Sequence, residues 1–144
     1  MRISQLANAA HCDLETVRYY EKIKLMPEPA RSDSGYRIYN HDHLERLNFI
    51  RHCRSLDMPL REITSLLHFR DNPTLKCDQV NQLIDEQLVS VAKKIKMLKG
   101  LKEQLNLLRS RCDNDHTAGD CGILKGLDSD AVIGKCPCHH ELKK

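Results

Sequence analysis

The sequence contains no long apolar run, since polar or charged residues interrupt every hydrophobic stretch before the roughly eighteen residues that a membrane span requires. It does not open on a charged and then apolar leader, so we expect a cytoplasmic protein with no membrane partner. A strong charge of one sign is also lacking, because the formal net charge is only +3. Such an excess is too weak to indicate nucleic acid by itself, and that inference needs local clusters of basic residues. No acid/base pair or nucleophile arrangement emerges, so we expect no enzyme.

Cysteine, in contrast, is plentiful, with seven among 144 residues. In a reducing compartment, thiols are more often metal ligands or reactive groups than disulfides, and an odd number argues further against a disulfide framework. We expect Cys12, beside a turn, and Cys53, within a helical pattern, to pack in the core. The metal chemistry is therefore expected among the cysteines from Cys77 onward.

Residues 79–111 contain no proline, and their apolar residues recur every three or four positions. This pattern predicts one long helix with a single apolar stripe. Cys77 comes just before the helix and Cys112 just after it. At 1.5 Å per residue the helix would span roughly 50 Å, so these two cysteines of one chain lie too far apart to share a ligand. An antiparallel homodimer would bring Cys77 of one chain beside Cys112 of the other.

The first 70 residues predict a compact helical head. Ser4 and Asp13 are plausible N-caps of two short helices separated by a tight turn, which makes a helix-turn-helix candidate. Prolines and a Ser/Asp/Gly cluster then precede the alternating residues 36–39, so a short hairpin or wing follows. Asn40 is expected to cap a helix over residues 41–56, and Pro59 to lie in the first turn of the next helix. After the long helix, residues 112–121 form a polar, turn-rich loop with a cysteine at each end, followed by one or two helical turns over residues 122–127.

Three segments of the head carry a family resemblance. They are residues 15–21 (ETVRYYE), residues 29–39 (with PARS and GYRIY) and residues 49–58 (FIRHCRSLDM). Together they resemble the MerR family of transcription regulators, and the similarity extends to about residue 127. Cys77, Cys112 and the loop that ends at Cys121 look most like the cadmium- and lead-responsive branch of that family.

The resemblance implies a mainly α fold with a winged helix-turn-helix head, a long antiparallel dimerisation helix and a C-terminal metal-binding loop. The implied domains are a DNA-binding domain at 1–75, a linker and dimerisation helix at 76–111, a metal-binding loop and short helix at 112–127, and a flexible Cys/His tail at 128–144. The implied partners are a second copy of the chain, promoter DNA and RNA polymerase. With metal bound, such a dimer distorts the promoter and thereby activates heavy-metal resistance or efflux genes.

Basic and aromatic residues of the head match the recognition helix and wing of that family. Four basic side chains interleaved with all four tyrosines offer donors for phosphate contacts, namely Arg18, Lys22, Arg31 and Arg37. A solvated strand edge is the simpler interpretation of the wing. The expected DNA-binding residues are Thr16, Arg18, Tyr19, Tyr20, Arg31, Tyr36, Arg37 and Tyr39.

The expected metal ligands are Cys77 of one chain with Cys112 and Cys121 of the other. Three thiolates suit soft ions, so Cd(II) or Pb(II) is the expected inducer, with Zn(II) or Hg(II) as the alternative. Zinc usually takes four ligands, and His116 would supply the fourth unless it is a solvated loop histidine. A second donor cluster offers possible additional metal ligands, namely Cys136, Cys138, His139 and His140.

Two other hypotheses use the same thiols. A metal-buffering protein would sequester ions and would show no sequence-specific retention on DNA. A thiol oxidation sensor built on the same head would respond to an oxidant rather than to a metal.

Overall fold

The computed structural model describes residues 1–132, and these residues are mainly helical, as predicted. The four tail positions Cys136, Cys138, His139 and His140 lie outside the described residues. The elements in chain order are α1 (Ile3–Ala9), α2 (Leu14–Lys22), β1 (Ala30–Arg31), β2 (Arg37–Ile38), α3 (His41–Ser55), α4 (Leu60–Asp71), α5 (Asp78–Arg109) and α6 (Gly122–Val132), with a 3₁₀ turn at Ala118–Asp120 before α6.

The chain forms two compact units, residues 1–87 and the residues from 88 onward. In the first unit, α1 packs against α2, and a tight turn connects the two helices. His11 in this turn has a left-handed φ of 54°. This arrangement confirms the predicted helix-turn-helix. Cys53 is buried in the core and Cys12 packs against it, also as predicted. Apolar side chains from every helix of the head meet in this core with Tyr39, which follows β2. The largest fully buried side chains are Tyr39, Leu6, Met26, Leu47, Ile50, Ile63, Leu67 and Val17.

A two-stranded antiparallel hairpin follows α2 and confirms the predicted wing. Ala30 lies opposite Ile38, and Arg31 lies opposite Arg37. The turn between the strands requires glycine at position 35. Gly35 has a φ of +87°, a backbone conformation that is strained for residues with a Cβ atom. The hairpin therefore carries its two arginines on facing positions next to the turn.

The structure tests three of the predicted helix N-termini. The Asn40 side chain accepts a hydrogen bond from the His43 backbone N–H at 3.1 Å, so the predicted cap of α3 is correct. Pro59 occupies the N-cap of α4, one position before the first turn. The Ser4 cap is wrong, because α1 begins at Ile3 and Ser4 lies inside it.

Helix α5 has 32 residues, which corresponds to a length of about 48 Å. Its apolar stripe is exposed in the single chain, since the side chains at its centre are between 37% and 64% exposed. Full burial of each such side chain would contribute about 1.5–3 kcal/mol, so the stripe favours a partner helix. The exposed residues of the stripe are Ile84, Leu88, Val91, Ile95, Leu98 and Leu105.

The second unit ends in α6, which is longer than the sequence predicts. The helix continues to Val132 rather than ending at residue 127, so the expectation of an irregular tail is wrong for residues 128–132. Asp130 lies beyond the predicted end and pairs with Arg111 at 3.7 Å. This contact joins the last turns of α6 to the segment that follows α5. Within residues 1–132, no helix is long and apolar enough to cross a membrane.

Candidate functional site

Two of the three predicted thiol ligands meet in the second unit. Cys112 lies just after α5, Cys121 lies just before α6, and the two half-buried side chains are hydrogen bonded to each other. Residues 113–120 form a loop whose two ends lie next to each other. The structure therefore places two sulfur atoms side by side at the base of a polar loop.

The environment of Cys121 favours its thiolate form. Its sulfur accepts backbone N–H groups of Leu124 and Ile123 in the first turn of α6, and these bonds lower the pKa of Cys121 below its ordinary value. Partial burial acts in the opposite direction, while the bond to Cys112 lowers the pKa further. A thiolate at the N-terminus of a helix is also stabilised by the helix dipole. The deprotonated thiolate is the form that ligates metal, so this position is suited to a ligand.

The close approach of α6 to the end of α5 holds the two thiols together. A Cβ atom at Gly122 would overlap the backbone carbonyl oxygen of Arg111, and a Cβ atom at Gly126 would overlap its guanidinium group. The same guanidinium reaches Asp130, with Nη1 at 3.7 Å from Oδ2. Because the two glycines lie four residues apart on one face of α6, they form a groove that Arg111 fills.

Replacing Gly122 with alanine is expected to weaken metal binding by about tenfold or more, or about 1.4 kcal/mol, because the added methyl separates α6 from the Arg111 backbone. Gly119→Ala is the matched control, since a methyl there meets only the Thr117 hydroxyl at 3.9 Å. Titration of both purified variants with Cd(II), followed by thiolate-to-metal absorbance, measures the effect. Equal affinity in the two variants would contradict a role for this close approach.

The candidate fourth ligand for zinc, His116, is paired with Asp113. Its Nε2 lies 2.7 Å from Asp113 Oδ1 within the exposed loop. Arg109 braces the start of the same loop, because its Nη1 donates to the Cys112 carbonyl at 2.6 Å and its Nη2 to Asn114 Oδ1 at 3.3 Å. The loop is thus organised by its own polar contacts.

The third predicted ligand, Cys77, belongs to the first unit and has an exposed side chain. Its backbone carbonyl accepts the Asn81 N–H at 3.0 Å, so it stands at the position that opens α5. Throughout residues 1–132, the single chain assembles no group of three or more His, Cys, Asp or Glu side chains that would hold a metal.

The first unit presents a basic depression of about 250 Å³ between α2 and the hairpin. Arg18 and Lys22 reach it from α2, while Arg31 and Arg37 reach it from the two strands. These are the four basic residues that the sequence assigns to phosphate contacts, and the fold brings them to one surface. The remaining lining residues are Glu21, Glu28 and Pro29.

Acceptors within the head orient the arginines of this basic depression. Arg31 Nη1 donates to the Gly35 carbonyl at 2.9 Å, and Arg37 Nε lies 3.7 Å from a carboxylate oxygen of Glu21. Glu21 is only 10% exposed, so it acts as a fixed anchor rather than a solvated charge. Sequence analysis did not predict this role of Glu21. The one signal that could have indicated it is the position of Glu21 directly after Tyr19 and Tyr20.

The tyrosines divide into two exposed and two buried rings. Tyr19 and Tyr36 are 49% and 55% exposed, whereas Tyr20 and Tyr39 are 7% and 2% exposed. The Tyr39 hydroxyl donates to Glu21, and burial together with this bond raises the pKa of Tyr39 well above its ordinary value. The rings of Tyr20 and Tyr39 therefore pack in the core, and contact of these two residues with DNA stays a prediction. Thr16 is half-buried and lines a second depression beside Tyr19.

Several known transcription regulators are similar to this chain in sequence and structure. The chain is 40% identical over 111 residues to the ZntR homolog of Haemophilus influenzae, an HTH-type transcriptional regulator, which covers 77% of this chain and 82% of that protein. It is 48% identical to the lead(II)-bound regulator PbrR691 of Ralstonia metallidurans, with a TM-score of 0.77 over 88% of this chain and 98% of that one. It is 31% identical to the mercury(II)-bound MerR of Bacillus megaterium, with a TM-score of 0.67 over 88% and 98% of the two chains.

Two family models cover the head and α5. The model of MerR HTH family regulatory proteins matches residues 1–69, and the model of the MerR DNA-binding region matches residues 44–108. These proteins are DNA-binding regulators and not enzymes. The chain belongs to the MerR family of helix-turn-helix transcription regulators.

Proposed function

We propose that this protein is a metal-responsive transcription regulator of the cytoplasm, which binds promoter DNA as a homodimer and activates genes of heavy-metal resistance or efflux. The observation that carries the proposal is the pair of thiols, Cys112 and Cys121, held together at the end of α5. The N-terminal end of α5 belongs to the same unit as the DNA-reading head. A ligand loop and a reading head on one helix are the parts that a metal-dependent switch requires.

The proposed metal centre is shared between two chains. Cys112 and Cys121 of one subunit supply two thiolates, and Cys77 of the partner subunit supplies the third. An antiparallel pairing of α5 along its exposed stripe would bring opposite helix ends together, as the spacing of the cysteines demands. Two-fold symmetry then makes two equivalent centres per dimer.

A site of three thiolates fits soft metal ions better than hard ones. The loop offers hard oxygen ligands only through Asp113, Asp115 and Asp120, and His116 is paired with Asp113. The relatives PbrR691 and MerR of Bacillus megaterium bind lead(II) and mercury(II), respectively. We therefore propose Cd(II) or Pb(II) as the inducer, with Zn(II) or Hg(II) as the alternative.

The chain's own residues would carry the response from the loop to DNA. When bound, the ion supplies positive charge that joins thiolates of two subunits. The groove of Gly122 and Gly126 keeps Cys121 facing Cys112, so the loop closes as one body with α6. A change at this end of α5 would reposition the paired helices and, through them, the two heads. The two heads would then untwist the promoter DNA, so that RNA polymerase engages both of the promoter elements that flank the operator.

A promoter-reporter titration with Cd(II), Pb(II), Zn(II) and Hg(II) tests the proposed inducer. We expect half-maximal induction at the lowest concentration with Cd(II) or Pb(II), because three soft donors leave zinc short of its usual four ligands. The same titration after removal of residues 133–144 keeps α6 and its Asp130 contact, and therefore isolates the Cys/His tail. Induction by Zn(II) at lower concentration than Cd(II) and Pb(II) would overturn the choice of metal, and loss of every response on truncation would move the tail into the site.

A further inference from the structure

Gln87 joins α5 to the head by two hydrogen bonds. Its side-chain amide donates to the Leu56 carbonyl at 2.9 Å and to the Asp57 carbonyl at 3.1 Å. Along α5, all of which the structure describes, Gln87 is the one buried side chain, with 8% exposure. A polar side chain at the single buried position of an exposed helix points to a specific contact rather than to general packing.

The carbonyls that Gln87 binds belong to the corner between α3 and α4. Leu56 is the C-cap of α3, and Asp57 takes a left-handed φ of 62°, which lets the chain turn sharply into α4. The last carbonyls of a helix lack intrahelical donors, so a side-chain amide is a suitable partner for them. Gln87 therefore binds the corner at the point where α3 ends.

Gln87 completes one face of α5 that rests on the head. Val80 and Leu83 precede it at helical spacing, and both pack half-buried against the core. In the same core, Leu47 and Ile50 of α3 lie with the residues of α1 and α2. A continuous set of packed elements thus runs from α5 through the corner and α3 to the helix-turn-helix.

We propose that Gln87 is a positioning residue that couples the movement of α5 to the DNA-reading helices, so that the head changes its position on DNA when the metal loop closes. The inference rests on the proposed function. Two apolar contacts would let α5 slide over the core, since van der Waals packing has little directional preference. The two directed hydrogen bonds of Gln87 fix the register between α5 and the corner.

The test compares Gln87→Met with Gln82→Met in the full chain. Methionine matches the length of glutamine but donates no hydrogen bond. Gln82 is an exposed residue of the same helix, and its side-chain amide donates to Glu86 at 3.5 Å. For Gln87→Met we expect unchanged Cd(II) affinity and metal-free operator affinity, with the ratio of Cd(II)-induced to basal transcription reduced about fivefold or more. Gln82→Met should keep the wild-type ratio. Gln87→Asn, which keeps the amide but shortens its reach, gives the same comparison if the methionine variant does not fold.

Three outcomes separate the possibilities. Wild-type induction by folded Gln87→Met overturns the coupling role. Equal loss of operator affinity with and without Cd(II), at an unchanged induction ratio, also overturns it, because a merely structural residue has that effect. Failure of the wild-type protein to respond to any of the four metals would instead overturn the proposed function itself.

Discussion

Replacing Cys121 with serine is expected to abolish metal-induced transcription and to leave operator binding intact. The hydroxyl oxygen of serine is a poor ligand for soft ions, so we expect the apparent affinity for Cd(II) to fall at least about 100-fold, or about 2.8 kcal/mol. Cys121 is also the thiol whose pKa is lowered by hydrogen bonds from the backbone N–H groups of Leu124 and Ile123 in α6. Metal titration of the purified variant and a gel-shift assay on its operator measure the two properties separately.

Cys12→Ser is the matched control for this substitution. Cys12 packs half-buried against the core of the head, and burial raises the pKa of its thiol, so it lacks the features of a ligand. We expect this variant to keep the full metal response. Normal induction by Cys121→Ser, or loss of induction by Cys12→Ser with operator binding intact, would contradict the proposed centre.

Mixed dimers test whether the metal centre is shared between subunits. One subunit carries Cys77→Ser, and the other carries Cys112→Ser together with Cys121→Ser. If each centre uses Cys77 of one chain and the loop of the other, the mixed dimer retains one intact centre and binds one ion. If the centre lies within one chain, neither subunit is complete and the mixed dimer binds none. Metal stoichiometry of the isolated heterodimer decides between these arrangements.

Replacing Arg37 with alanine is expected to weaken operator binding more than any other single change in the basic depression. Arg37 is held at 3.7 Å from the anchored Glu21, so its guanidinium is preorganised for a contact. Each lost contact of this kind costs about 1–3 kcal/mol, and a homodimer loses two, which gives about 2–6 kcal/mol. Equilibrium binding to the operator at several salt concentrations measures both the loss and its electrostatic part.

The salt dependence identifies what Arg37 contacts. If it neutralises a phosphate, loss of two contacts per dimer makes the slope of log Kobs against log salt shallower by about 1.8. If it reads a base edge, the slope changes less and discrimination against a mutated operator falls. Lys102→Ala on α5 removes the same charge outside the depression and should leave both quantities unchanged. Wild-type affinity and slope for Arg37→Ala would contradict a DNA contact.

Patterns local in sequence account for most of the fold. The three-to-four spacing of apolar residues over 79–111 predicted α5, which begins at Asp78 and ends at Arg109. Prolines and Gly35 predicted the hairpin, because proline fixes its own φ and glycine permits the positive φ of a turn, whatever lies around them. The cap of α3 by Asn40 was equally readable, whereas the Ser4 cap failed because α1 begins at Ile3, where the Gln5 side chain accepts the Arg2 backbone N–H at 2.8 Å.

Contacts between distant residues account for what the sequence did not predict. The tyrosines of the head looked alike in the sequence, yet Tyr39 turned inward to bond Glu21 and Tyr36 stayed at the surface beneath the Arg2 guanidinium. The Asp130 side chain in the last turns of α6 pairs with Arg111, a partner that no local pattern reveals. A hydrogen bond between residues far apart in the chain forms only once both elements are packed.

The candidate metal centre shows the same division. Its residue types and spacing were evident from the sequence alone, because Cys77 and Cys112 bracket α5 and soft-metal chemistry follows from thiols. Only the tertiary structure decided that Cys112 and Cys121 are neighbours, that α6 lowers the pKa of Cys121, and that His116 pairs with Asp113. Helical periodicity and ligand preference are properties of each residue and its near neighbours, whereas proximity and proton affinity depend on where the completed fold places α6 against Arg111.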